Sequence, residues 1–188
     1  MMSRYVACLL TIVWLLTNLV IGAVAAQQPA NVDLDKLTAK VPDAQALVRQ
    51  ADLIVYGTPT GEPKQDSTDQ KVNEGQLVIF YQNFDVKQVI HGQSSHIVEI
   101  VRPGVEPLPP PEDPINLVYP GPLADSVDYV LFLKQYNTTR HYYVIGVWQG
   151  VYPLDPQGRT IALLEEGFPT FHGLTLEEMK RKINQLQS

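Results

Sequence analysis

The sequence predicts a mainly β chain: a small antiparallel β-barrel of five to six strands, with a short helix before the first strand and an amphipathic helix at the C-terminus. Three observations predict it. Apolar stretches rich in Val, Ile, Tyr and Phe recur between residues 52 and 147, separated by proline, glycine and asparagine turn signals. Helical spacing of apolar residues occurs at the two ends of this region, before the first strand and after the last. Strands in this number and order leave few open edges when the sheet closes on itself.

The chain opens with Arg4, an apolar run from Tyr5 to Ile21, and the small residues Gly22 to Ala26. A basic start, an apolar middle and the Ala23-Val24-Ala25 cleavage pattern read residues 1–26 as a signal peptide, which places the remaining chain in a secreted or extracytoplasmic location. The same stretch is long enough for the alternative, an uncleaved N-terminal anchor that holds the domain at a membrane. Cys8, the only cysteine, lies inside this segment, so the rest of the chain is expected to be stable without disulfides or thiolate-held zinc. Residues 27–41 are polar and mixed and read as a flexible lead-in; residues 42–188 read as a single domain.

Within that domain, Pro42-Asp43 opens a helix with Ala44, Leu47, Val48 and Ala51 at helical spacing. The first strand runs from Asp52 to Thr58 and is expected to stop at Pro59 and Gly61. Residues 59–76, polar and charged, read as a solvated loop. Leu77 to Ile90 forms a long strand with Phe84 and Val86 on one face and Asp85 and Lys87 on the other. After the His91-Gly92 turn, His96 to Arg102 forms a strand with Val98, Ile100 and Arg102 on a common side. Residues 103–126 contain eight prolines and two glycines and read as an extended surface connection, because proline lacks the backbone donor a central strand needs.

Val127 to Gln135 is then a strand buried on both faces at its centre. It pairs through the Asn137–Arg140 turn with His141 to Val147. A smaller hairpin, 150–154 with 159–163, follows around Asp155-Pro156-Gln157-Gly158. Thr175 and Glu178 have capping-box spacing, and Leu176, Met179, Ile183 and Leu186 form one stripe of the last helix.

Four segments carry a resemblance: Ala51 to Thr58, Phe84 to Gly92, Asp128 to Leu133, and Gly150-Val151-Tyr152. Across roughly residues 50 to 165 they resemble small exported bacterial proteins with the oligonucleotide/oligosaccharide-binding (OB) type barrel of tissue metalloproteinase inhibitors and netrin-like domains. The resemblance implies an OB-like fold and a domain that binds something. The inhibitors' metal chelation depends on an N-terminal cysteine, which the mature chain lacks, so no residue here inherits that role.

The chain has 14 basic and 20 acidic residues, and loss of Arg4 would make it one unit more negative still. No nucleic-acid partner is expected, because an acidic surface repels phosphate, and Lys180-Arg181-Lys182 reads as cations at a helix C-terminus. No catalytic, cofactor-binding or metal-ligating set is assigned. His91 and His96 flank a turn and would approach each other across a hairpin, with Glu99 as a nearby carboxylate, but two histidines fall short of the three protein ligands of catalytic zinc. His172 reads as a stop before the last helix. Glu165 and Glu166 are adjacent and point to opposite faces if the segment is extended. Asn137-Thr138-Thr139 matches an N-glycosylation acceptor on a turn.

The aromatic residues remain as candidates, since barrel-type sites stack aromatic rings on sugars, bases or peptide side chains. Tyr136, Tyr142, Trp148 and Tyr152 are the candidate ligand-facing residues. The expectation is an exported non-enzymatic binding domain, without cofactor, engaging an unidentified protein or envelope component through residues 59–76 and 103–126. The alternative is an exported hydrolase or metal-dependent enzyme whose site assembles from distant residues.

Overall fold

A computed structural model describes residues 32–73, 75–137, 139–163 and 166–187. Residues 1–26, read above as a signal peptide or anchor, the first part of the expected lead-in, Thr138 and Glu165 lie outside the described residues. Two short helices, α1 (Leu34–Thr38) and α2 (Ala44–Gln50), precede the strands β1 (Leu53–Val72), β2 (Gly75–His91), β3 (Ile97–Glu106), β4 (Tyr129–Gln135), β5 (His141–Val144) and β6 (Val151–Pro153). A final helix, α3, spans Leu176–Gln187. No helix among the described residues is long and apolar enough to cross a membrane.

The fold is mainly β, as expected. Its six strands form one sheet in the order β1-β2-β3-β5-β4-β6, and β1 also pairs with β4, so five strands close into a ring with β6 attached outside it. The pairing corrects the all-antiparallel expectation: β3 and β5 run parallel, with Glu99, Ile100 and Val101 opposite His141, Tyr142 and Tyr143. The reason is parity. Strand direction must alternate across every antiparallel pair, and an odd ring cannot alternate all the way round.

Alternation along the strands sorts the core into two bodies. Leu53, Val55, Phe84, Val86, Val98, Ile100, Leu131, Leu133 and Val144 come from all five ring strands and pack together inside the ring. Ile54, Val130 and Phe132 point the other way, against Leu47 and Val48 of α2, Met179 and Ile183 of α3, and Tyr152 and Phe171. The start of β1, Leu53 to Val55, and most of β4 are thus buried on both faces, which explains their unbroken apolar runs.

Both longer helices begin where their caps predict. The Asp43 side chain accepts from Ala46 N at 2.7 Å, and Glu178 Oε2 accepts from Thr175 N at 2.8 Å.

Four boundaries differ from the sequence reading. Residues 59–72, expected in a loop, continue β1 and pair with β2 up to Val72 opposite Gly75. Pro59 and Pro63 are tolerated because β4 leaves β1 at Gly57, so beyond that point β1 has a neighbour on one side and needs no second row of donors. Likewise β3 runs through Pro103 to Glu106, where β2 is its neighbour and β5 has already left. The second half of the expected lead-in forms α1, capped by Asp33, with Leu37 packed on Ile79, Val101 and Tyr136. The small second hairpin reduces to β6 and a single bridge between Leu154 and Thr160.

Candidate functional site, a polar groove beside the ring

The face of β2 and β3 opposite Phe84, Val98 and Ile100 is only partly covered. α1 lies over Ile79 and Val101, held by Leu37 and by a 2.8 Å hydrogen bond from Asp33 N to the Tyr136 hydroxyl. Further along the same strands, Asn83, Ile97 and Glu99 are left facing a groove of about 630 Å³. The end of β4 contributes Gln135, the β4–β5 turn Arg140, the β2–β3 turn Ser94 and Ser95, β1 Lys64, and β5 Tyr142. Amides, hydroxyls and two cations therefore surround one aromatic ring and one exposed apolar side chain, Ile97.

The groove is bounded by His141, whose Nδ1 lies 2.6 Å from Glu99 Oε2 in a close contact that lacks hydrogen-bond alignment. The two residues are register partners across the parallel β3–β5 junction, so the contact sits where the ring closes. Tyr81 packs edge-on against His141 at 5.7 Å between ring centres. Burial, reinforced by Asp66, holds the Tyr81 phenol above its ordinary pKa.

Of the four aromatic residues expected to face a ligand, Tyr142 lines the groove. The other three lie outside the groove. Tyr152 is fully buried against Phe132 and Phe171, and its hydroxyl accepts from Phe168 N at 3.0 Å. Tyr136 is buried under α1. Trp148 donates from Nε1 to Asn116 O at 2.8 Å and stacks on the guanidinium of Arg102, 4.9 Å from the ring centre.

Arg102 is 3% exposed, and among the described residues neither Nη1 nor Nη2 has a hydrogen-bond partner. Burial pulls its pKa down to about 10, which leaves it charged at neutral pH. An unpaired buried charge costs several kcal/mol, of which stacking on a desolvated ring returns about 2. The signal was present in the sequence: the alternation of β3 puts Arg102 on the same side as Val98 and Ile100.

A second polar cluster is fully satisfied. Asp128, just before β4, accepts from Tyr56 Oη at 2.6 Å, from Lys87 Nζ at 2.6 Å and from Thr58 Oγ1. Burial opposes ionisation of Asp128, but these bonds outweigh it and hold the carboxyl below its ordinary pKa.

The histidines weighed for metal binding go separate ways. His91 Nδ1 lies 2.9 Å from Gln187 Nε2, while His96, an exposed residue, pairs with Asp85 at 3.2 Å. His172 Nδ1 accepts from Ala162 N at 3.2 Å. Among the described residues no group of three His, Cys, Asp or Glu converges on a point where a metal ion would fit. Glu166 pairs with Lys40 at 2.7 Å. Asn137 is exposed on its turn, at φ 53°.

Asn83, Ser94, Ser95, Gln135 and Arg140 were not singled out in the sequence, because polar residues on a strand and two turns have no spacing motif until the ring brings them together. Compared with known proteins, the chain matches no protein-family model and no curated protein.

Proposed function

We propose that the chain is an exported, non-enzymatic binding domain on a small OB-like barrel, and that its ligand lies in the groove between β2, β3 and the β4–β5 turn. The observation that carries the reading is the position of that groove. In OB-type barrels the face of strands two and three and the loop joining strands four and five bind the ligand. Here Asn83, Ile97 and Glu99 occupy that face, Arg140 that loop, and Gln135 the end of β4 that leads into it. The strand order β1-β2-β3-β5-β4, closed back on β1, supports the OB-like assignment.

The lining favours a hydroxyl-rich envelope glycan over a nucleic acid. Lys64 and Arg140 are offset in part by Glu99 within the groove, and the whole chain carries a net charge of −6. Amide and hydroxyl groups match sugar hydroxyls, and Tyr142 offers a ring face for stacking. A protein partner is the competing occupant. Fold analogy sets the place to look, and the side chains set the chemistry.

Backbone amide NMR of the full chain during titration with envelope oligosaccharides and, separately, with peptides tests this reading. Saturable shifts centred on Asn83, Glu99 and Tyr142 are expected with a glycan, and Tyr142→Ala should weaken that binding at least tenfold; because Tyr142 also packs on the ring core, its unfolding midpoint falls as well and binding is compared at a temperature where the variant is folded. Peptide shifts at the same residues would move the reading to a protein partner. An unchanged spectrum across both panels, or shifts confined to another face, would overturn it.

A further inference from the structure

We propose that Arg102, stacked on Trp148 beneath the 107–126 connection, is a receptor for a carboxylate. This position is separate from the groove. Arg102 points to the side of β3 that carries Val98 and Ile100, inside the ring, whereas the groove uses Asn83 and Glu99 on the opposite face.

Three features define the receptor. Arg102 Cζ lies over the Trp148 ring, and the buried terminal nitrogens Nη1 and Nη2 both lack an acceptor among the described residues. Two parallel N–H groups in one plane match the two oxygens of a carboxylate, a fit that a spherical halide does not reproduce. The neighbouring polar side chains are already committed. The Gln82 amide donates to Leu123 O at 3.0 Å and accepts from Leu123 N at 2.9 Å, and the Tyr129 hydroxyl donates to Ala124 O at 3.3 Å. None of them accepts a hydrogen bond from Nη1 or Nη2 of Arg102.

The roof is attached unevenly. Gly121 N donates to Pro103 O at 3.0 Å, and Gly121 packs so closely on Gly104 that a Cβ at Gly104 would lie 2.9 Å from the Gly121 Cα. Together with the Gln82–Leu123 pair this pins residues 121–123. The Asn116 end is tied to the stack through the single Trp148 Nε1 bond. A carboxylate enters by lifting the Asn116 side, at the expense of that one hydrogen bond, while the other side stays in place.

Arginine-selective ¹⁵N labelling of the full chain tests the proposal without any substitution. Sodium acetate is titrated against sodium chloride at matched ionic strength, and acetyl-capped peptides with free or amidated C-termini separate a small anion from a chain-terminal carboxylate. Acetate should move the Arg102 side-chain resonances saturably and slow their hydrogen exchange, whereas chloride should not. A free-carboxylate peptide that acts more tightly than acetate, with its amidated form inert, would assign the receptor to a chain end; acetate alone would assign it to a small carboxylate. Equal responses to acetate and chloride, or none, would overturn the proposal. Arg102→Met should abolish the acetate response, and if that variant fails to fold, the wild-type titration still decides.

Discussion

One carboxylate, Asp128, ties three segments together, since Tyr56 and Thr58 belong to β1 and Lys87 to β2. The hydrogen bond to Asp128, with burial, pushes the Tyr56 phenol up to about 12. Both groups make stability depend on pH, in opposite windows. Asp128 is more acidic folded than unfolded, so its contribution is complete above the ordinary carboxylate range and is lost as pH falls through its lowered folded value. Tyr56 is less acidic folded than unfolded, so its contribution is complete below its ordinary value of 10 and is lost as pH rises toward about 12. Urea midpoints measured across pH should show Tyr56→Phe flattening the alkaline decline and only weakening the acid one, because Lys87 and Thr58 still hold Asp128, whereas Asp128→Asn should flatten both. A Tyr56→Phe variant with an unaltered alkaline limb would detach Tyr56 from this linkage. Arg102 belongs to the same scale and illustrates the contrary case, a buried charge whose terminal nitrogens take no hydrogen bond among the described residues.

At the scale of elements, the helix starts are the most legible parts of the sequence because their caps are local. Thr175 and Glu178 bond each other's backbone and side chain at α3, as their spacing predicts. Thr175→Ala should lower stability by about 0.5–2 kcal/mol, read from the urea midpoint, with the helix content of the folded state retained. Strand alternation is equally legible where one face is buried: Phe84 and Val86 are in the core and Lys87 is exposed, as expected. The outer part of β1 was not legible. Proline, glycine and charge mark loops, and they also mark strands with one neighbour, so only the pairing with β2 tells the two apart. The candidate site divides in the same way. Tyr142 was found because aromatic residues stand out, while Asn83, Ser95 and Arg140 acquire meaning only when β2, β3 and the β4–β5 turn converge. Tyr136 and Tyr152 stood out for the same reason as Tyr142 and proved to be core, since ring size alone does not say which face of a strand is solvated.

For the molecule as a whole, closure of the ring depends on close approach at Gly57, the last residue of β1 to pair with both β2 and β4. A Cβ there would meet Asp85 O at 2.0 Å and Phe84 Cε1 at 2.7 Å. Gly57→Ala should destabilise the fold by about 1–3 kcal/mol, because it presses on backbone with no side-chain end to yield. The check is a chemical unfolding curve with a lower midpoint; a midpoint equal to wild type would mean that the ring has slack at this crossing. Closure leaves one stretch out. Beyond Gly57, β1 offers its outer backbone groups to any chain that drifts alongside, including another copy of itself. That margin carries Pro59, Pro63, Lys64, Asp66, Asp69 and Lys71. Prolines withhold the donors a new strand would seek, and charges on both sides of the ribbon make the approach of an identical ribbon unfavourable. The residues that resemble a loop in the sequence are thereby the molecule's guard against self-association, and replacing them with the Val and Ile that an ordinary strand prefers would trade solubility for a stickier edge.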